Sequence, residues 1–150
     1  MAKELEAWNE GSGIDLESWI GCEGSFSLAI GYASVFWPTF VVFEDYILRE
    51  GFSLDSLRGF EEAYSGDRLA VERVMNHLHI SDIHHAGCED LTLDKAILVG
   101  ETLASIYRVK LAHDFPDRPC KVDFYQPDDP ENLDEFEISF WQVKHESEHI

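Results

Sequence analysis

The stretch from Leu93 to His113 limits the folds open to this chain more than any other. Its apolar residues recur with helical period along two adjacent rows. One row holds Ala96, Val99, Leu103 and Ile106; the other holds Leu93, Ile97, Gly100, Ala104, Tyr107 and Leu111. A helix apolar over so wide an arc is expected to pack on more than one side. Gly100 and Ala104 leave room for a neighbour to approach closely. Thr92 is placed to cap this helix, and Phe115-Pro116 to close it.

Beyond Pro116 the period changes from helical to alternating. Val122 and Phe124-Tyr125 predict one strand; Phe136, Ile138 and Phe140, alternating with Glu137, Ser139 and Trp141, predict a second. The acidic, turn-rich segment Gln126 to Asn132 joins them as a long hairpin tip. One of Phe140 and Trp141 is expected outward or against the loop, and the tail from His145 to Ile150 to fray. The fold class is therefore α+β, a helical body with a small antiparallel sheet including a C-terminal β-hairpin. With 150 residues, the chain reads as a single domain over 1–150.

Upstream, Leu5 to Ile20 predicts one or two short helical turns, the second capped by Asp15. Ser25 starts a helix through Ala33, ended by Trp37-Pro38. No charged residue lies between Phe26 and Phe43, but Gly31, Pro38 and several Ser and Thr interrupt the run, which predicts two core elements rather than a membrane span. Phe40 to Leu48 fits either a helix, from Pro38 and Gly51, or two short strands, from the β-branched pair and the Glu44-Asp45 step. Ser53 to Tyr64 predicts an amphipathic helix with Leu54, Leu57 and Phe60 on one face. Asp67 caps the next helix, whose stripe is Val71, Val74, Met75 and Leu78.

Charge excludes one class of function. Thirty Asp and Glu against 11 Lys and Arg give a formal net charge of −19, which repels phosphates and argues against nucleic-acid binding. The acids concentrate in residues 1–66 and 114–150, so the middle third is the expected core. Cys22, Cys88 and Cys120 show no paired or CxxC spacing, and no basic-then-apolar leader is visible; a reduced, cytoplasmic protein is expected.

Four of the seven histidines fall between His77 and His85. Imidazoles beside Asp82 suit a transition metal, and His77, His79, Asp82 and His85 are the candidate ligands. In a helix, His77 and His79 project about 200° apart, too far to chelate one ion; an extended chain after Leu78 would bring them to one face. The favoured reading is a structural helix exit. In it Asn76 satisfies backbone groups, Leu78, Ile80 and Ile83 anchor the turn, and Ser81 or Asp82 caps a second short turn. Gly24-Ser25-Phe26-Ser27 makes no nucleophile elbow, and neither Gly11-Ser12-Gly13 nor Gly21-Cys22-Glu23-Gly24 is a phosphate loop. Glu44-Asp45 and Glu61-Glu62 read as solvated faces. Phe36, Trp37, Phe40 and Phe43 are expected mostly in the core.

Phe36-Trp37-Pro38-Thr39-Phe40-Val41, then Val71-Glu72 leading to Asn76 through Asp82, then Asp114-Phe115-Pro116 and a late alternating strand, form a pattern that resembles a group of small acidic bacterial proteins. These are similar to immunity proteins of polymorphic toxin systems. The resemblance runs from about Phe26 to Trp141 and implies a protein that neutralises another, with no catalytic residues and no cofactor. The sequence-level expectation is a non-enzymatic acidic binding protein with a basic, nuclease-type toxin as partner. Its contact residues would be Asp128, Asp129, Glu131, Asp134 and Glu135 on the hairpin tip. A metal-dependent hydrolase built on the histidine cluster and a structural homodimer are the alternatives.

Overall fold

The structure is a computed structural model that describes residues 1–149. The chain divides into two compact units, Met1–Val35 and Phe36–Ile150. The fold class is α+β, with six α-helices and two small antiparallel sheets among the described residues. None of its helices is long and apolar enough to cross a membrane, among the described residues.

The first unit is helical. Helix α1 (Ala2–Gly11) leaves helical geometry at Trp8, and Asn9 and Glu10 adopt positive φ. Helix α2 (Leu16–Glu23) starts where Asp15 accepts a hydrogen bond from the Ser18 amide at 2.9 Å, the expected cap. Gly24 ends it: its amide donates to the Ile20 carbonyl, and a Cβ there would lie 2.6 Å from that oxygen. Ser25 then caps helix α3 (Phe26–Phe36), its hydroxyl accepting from the Leu28 amide. None of these three helices buries a residue, so the first half of the apolar run supplies no core, while its second half does through the buried Phe40.

The second unit holds the core. Strands β1 (Phe40–Phe43) and β2 (Tyr46–Arg49) form a hairpin in which Phe43 faces Tyr46. Glu44 and Asp45, both at positive φ, make its two-residue turn. This settles the ambiguous segment as strands, with Pro38 buried just ahead of β1 and Gly51 in a turn after β2. Helix α4 (Leu54–Ala63) is capped by Ser53, and Ser65-Gly66, both at positive φ, end the run. Helix α5 (Arg68–Met75) is capped by Asp67. Tyr46, Leu48, Leu57 and Val71 form one buried cluster among β2, α4 and α5. Leu54 stays exposed, outside the face predicted for it.

Strand β3 (Leu78–His79), which the sequence pattern did not predict, pairs with β5 (Glu137–Gln142), and β5 pairs in turn with β4 (Cys120–Tyr125). The expected hairpin is present, with Val122 opposite Phe140. Helix α6 (Leu93–Asp114) packs on β4 and β5. Its buried stripe is Ala96, Gly100, Leu103, Ala104, Tyr107, Lys110 and Leu111. Leu93, Leu98 and Val109 face solvent, so the helix is covered along one side and not two. The neighbour at Gly100 is a strand: a Cβ there would fall 2.1 Å from the Phe124 ring. Phe40, Tyr107 and Phe140 stack edge to face, with Phe40 and Phe140 centroids 4.9 Å apart. Trp37 lies half exposed, contrary to its expected place in the core, with Lys110 over its ring.

Both faces of β5 are buried beyond Ile138, so Phe140 and Trp141 are alike covered. The tail does not fray at its start. Val143–His149 forms a 3-10 stretch and His145 is fully buried; Ile150 lies outside the described residues.

Candidate functional site

Around the expected histidine site, α5 stops at Asn76 and the chain becomes extended at Leu78–His79. That places the His77 and His79 rings edge to face, 5.2 Å apart between centroids. They line a cleft of about 360 Å³ with Tyr64, Arg73, Glu137 and Ser139. His79 Nε2 is 3.7 Å from Glu137 Oε2, beyond hydrogen-bond reach, and its buried Nδ1 has no partner. His77 Nδ1 sits against the Val74 carbonyl. Asp82 is exposed, and His85 Nδ1 accepts from the Gly87 amide at 2.9 Å. Among the described residues no three His, Cys, Asp or Glu side chains form a group able to hold a metal. The 3-10 turn Ile80–Ile83 comes directly after His79 with no side-chain cap, so neither Ser81 nor Asp82 caps it.

Asn76 does more than finish a helix. Its Nδ2 donates to the Ile47 carbonyl of β2 at 2.8 Å and to the Phe140 carbonyl of β5 at 3.3 Å. One turn earlier, the fully buried Glu72 accepts from the Ile47 amide at 2.7 Å and from the Gln142 amide at 2.7 Å. Its Oε1 also takes the Gln142 side-chain amide at 2.8 Å. Strand β3 is only two residues long, so it leaves the C-terminal half of the β5 edge open. Glu72 and Asn76, at i and i+4 on α5, take that edge and the matching groups of Ile47. Two side chains thus supply the hydrogen bonds that a strand would otherwise make between the two sheets.

His145 closes this junction, its Nδ1 3.0 Å from Glu72 Oε2 but not aligned for a hydrogen bond, and its Nε2 without a partner. Sequence reading missed the junction. The available signal was the polar pair Glu72 and Asn76, spaced four apart beside the apolar stripe of α5. The junction's polar side chains are buried, and it ties the two sheets together.

Thiol chemistry is unfavoured at two of the three cysteines. Burial pushes the Cys120 thiol up to about 12, with the Glu72 charge adding to it. The Cys88 thiol is raised mainly by its hydrogen bond to Asp90.

Asp128, Asp129, Glu131, Asp134 and Glu135 are all exposed. The tip is ordered by local bonds. Asp129 Oδ1 accepts from the Glu131 amide at 3.0 Å, Pro127 is buried, and the short turn Leu133–Glu135 packs on Ile80–Ile83. None of the five carboxylates pairs with a cation among the described residues.

The first unit presents the opposite chemistry. Phe26 is 91% and Ile30 76% exposed on α3, beside a groove of about 570 Å³ lined by Trp19, Ile20, Phe26, Leu28 and Tyr32. The unit carries six acids, Glu4, Glu6, Glu10, Asp15, Glu17 and Glu23, and one base, Lys3. No catalytic sequence motif marks this surface; the signal that could have found it is an uncharged helix flanked by acids. In comparisons with known proteins, no family model, curated protein or solved structure matches the chain.

Proposed function

We propose that this chain is a non-enzymatic acidic binding protein whose partner is a basic protein, held in a reducing cytoplasm where its cysteines stay unpaired. One observation carries the reading: α3 exposes its apolar side chains and buries none of its eleven residues, within a unit of six acids and one base. Aromatic and aliphatic anchors surrounded by charge are the usual make-up of an interface centre and its rim. Like charge opposes a second copy and an anionic membrane on this surface, whereas a basic partner gains from it. The hairpin-tip carboxylates add steering, which raises association rate more than final affinity. Inhibition of a basic toxin is the form of this activity that the resemblance implies.

The test uses the full chain and the basic protein it retains at low salt, rebuilt from purified components. Phe26→Ser with Ile30→Ser is expected to speed dissociation with the thermal melt unchanged. Neutralising Asp128, Asp129, Glu131, Asp134 and Glu135 to Asn or Gln is expected to slow association and flatten its salt dependence. Self-association through α3, insertion into lipid vesicles, or the absence of any basic partner would overturn the reading.

A further inference from the structure

We infer that Arg73 anchors a carboxylate-binding cleft, a site separate from the surface proposed for the basic partner. Acids outnumber bases 30 to 11 in this chain, so a guanidinium with no acid bonded to it stands out. Arg58 is held by Glu44 and Glu61, Arg68 and Arg118 by Asp45, and Arg108 donates to the Val122 carbonyl. The guanidinium of Arg73 meets no hydrogen-bond or ion-pair partner among the described residues. It lies instead 4.6 Å over the Trp141 ring.

That ring is itself fixed. Trp141 is buried, and its Nε1 donates to Glu146 at 2.8 Å. Glu146, the acid whose charge Arg73 feels, is already bonded to Lys121 at 2.7 Å. Stacking on an aromatic face leaves the N–H edge of a guanidinium free and holds its plane in place, which lowers the ordering cost of a two-point hydrogen bond.

The free edge has somewhere to direct a ligand. Arg73 lines the cleft of about 360 Å³ that also holds Tyr64, His77, His79 and Ser139. It also lines a second cleft with Arg108, Lys121 and Asp123. Such a volume suits a small molecule or one acidic side chain. Glu137 is the acid within the first cleft, opposite His79. The guanidinium fork matches a carboxylate in two parallel bonds. The surrounding charge of −19 penalises a doubly charged phosphate more than a singly charged carboxylate.

The experiment monitors the Arg73 Nε–H and Trp141 indole N–H signals of the full chain by NMR. Acetate, inorganic phosphate and an end-capped peptide with two glutamates are titrated against a chloride control at matched ionic strength. Acetate is expected to move both signals saturably and more tightly than phosphate. Tighter binding of the peptide than of acetate identifies a protein side chain as the source; equal or weaker binding identifies a free small carboxylate. Arg73→Gln is expected to abolish the response, and Arg73→Lys, which keeps the charge without the fork, to weaken it about tenfold. Trp141→Phe keeps an aromatic platform and is expected to retain binding. Shifts that track ionic strength alone, or that survive in Arg73→Gln, would overturn the site.

Discussion

Helices α3 and α5 handle solvent in opposite ways. Helix α3 carries no charge and buries none of its residues, whereas α5 carries the carboxylate of Glu72 and buries it completely. Hydrophobicity by itself therefore does not decide what is buried here; the supply of partners does. Exposed Phe26 and Ile30 forgo a burial gain of about 1.5–3 kcal/mol each, which leaves that gain available to an incoming surface. Buried Glu72 is tolerable because three N–H donors converge on it. On the proposed reading α3 serves recognition, while α5 serves cohesion.

The sharpest way to break this contrast is to remove the buried acceptor. Glu72→Ala leaves the Ile47 amide, the Gln142 amide and the Gln142 side-chain amide without their partner. The expected loss is about 3–5 kcal/mol in urea unfolding of the full chain. Ile30→Ala, a cut of similar size on α3, is expected to change stability by less than about 0.5 kcal/mol. Similar losses for the two variants would mean that α3 is packed after all and that the division of labour fails.

A smaller effect is expected where α6 meets the sheet. Gly100→Ala places a methyl against the Phe124 ring, where the ideal position is 2.1 Å away. Strand β4 or the ring must move, and overpacking of this kind costs about 1–3 kcal/mol. Phe124→Leu in the same chain is expected to return part of the loss, giving a measurable coupling in a double-mutant cycle. An unchanged thermal melt for Gly100→Ala would show that the close approach adds nothing to cohesion.

Much of the fold could be read from local sequence because its signals are local. Asp15, Ser25, Ser53 and Asp67 each cap the helix that their residue type predicts, and the alternation around Ile138 and Phe140 marked the late hairpin. What could not be read depended on distant partners. Strand β3 has only two residues, too few to show a period, and exists because β5 offers an edge. Glu72 and Asn76 look like ordinary polar helix residues until Ile47 and Phe140 are brought beside them. The breadth of the apolar arc on α6 suggested two packed sides, but Leu93 within that arc is exposed, and Leu98 and Val109 outside it face solvent. At the candidate sites, the acidic tip was visible as a charge run, while Arg73 over Trp141 joins residues 68 positions apart and left no sequence trace.

The smallest effect is expected at the exposed counterpart of the buried junction. Asp45, in the β1–β2 turn, bonds Lys144 at 2.5 Å, Arg118 at 3.1 Å and Arg68 at 3.2 Å, tying the hairpin to α5 and to the segments flanking β4 and β5. The Lys144 contact first, then the charges of Arg118 and Arg68, hold its carboxyl below the usual aspartate range. A lowered folded pKa contributes stability above the unfolded value, about 3.9, and that contribution disappears as pH falls through the folded value. Asp45→Asn isolates the charge, because asparagine also accepts the positive φ of this turn. Thermal melts of both proteins are expected to differ near neutral pH and to converge as the medium is acidified below about pH 4. The side chains involved are 37–43% exposed, so the difference is expected to stay under about 1 kcal/mol and to shrink with added salt. A gap that survives acidification would place the role of Asp45 in its backbone, whose carbonyl accepts from Gln142 Nε2 at 2.7 Å, and would extend the buried junction outward to the turn itself.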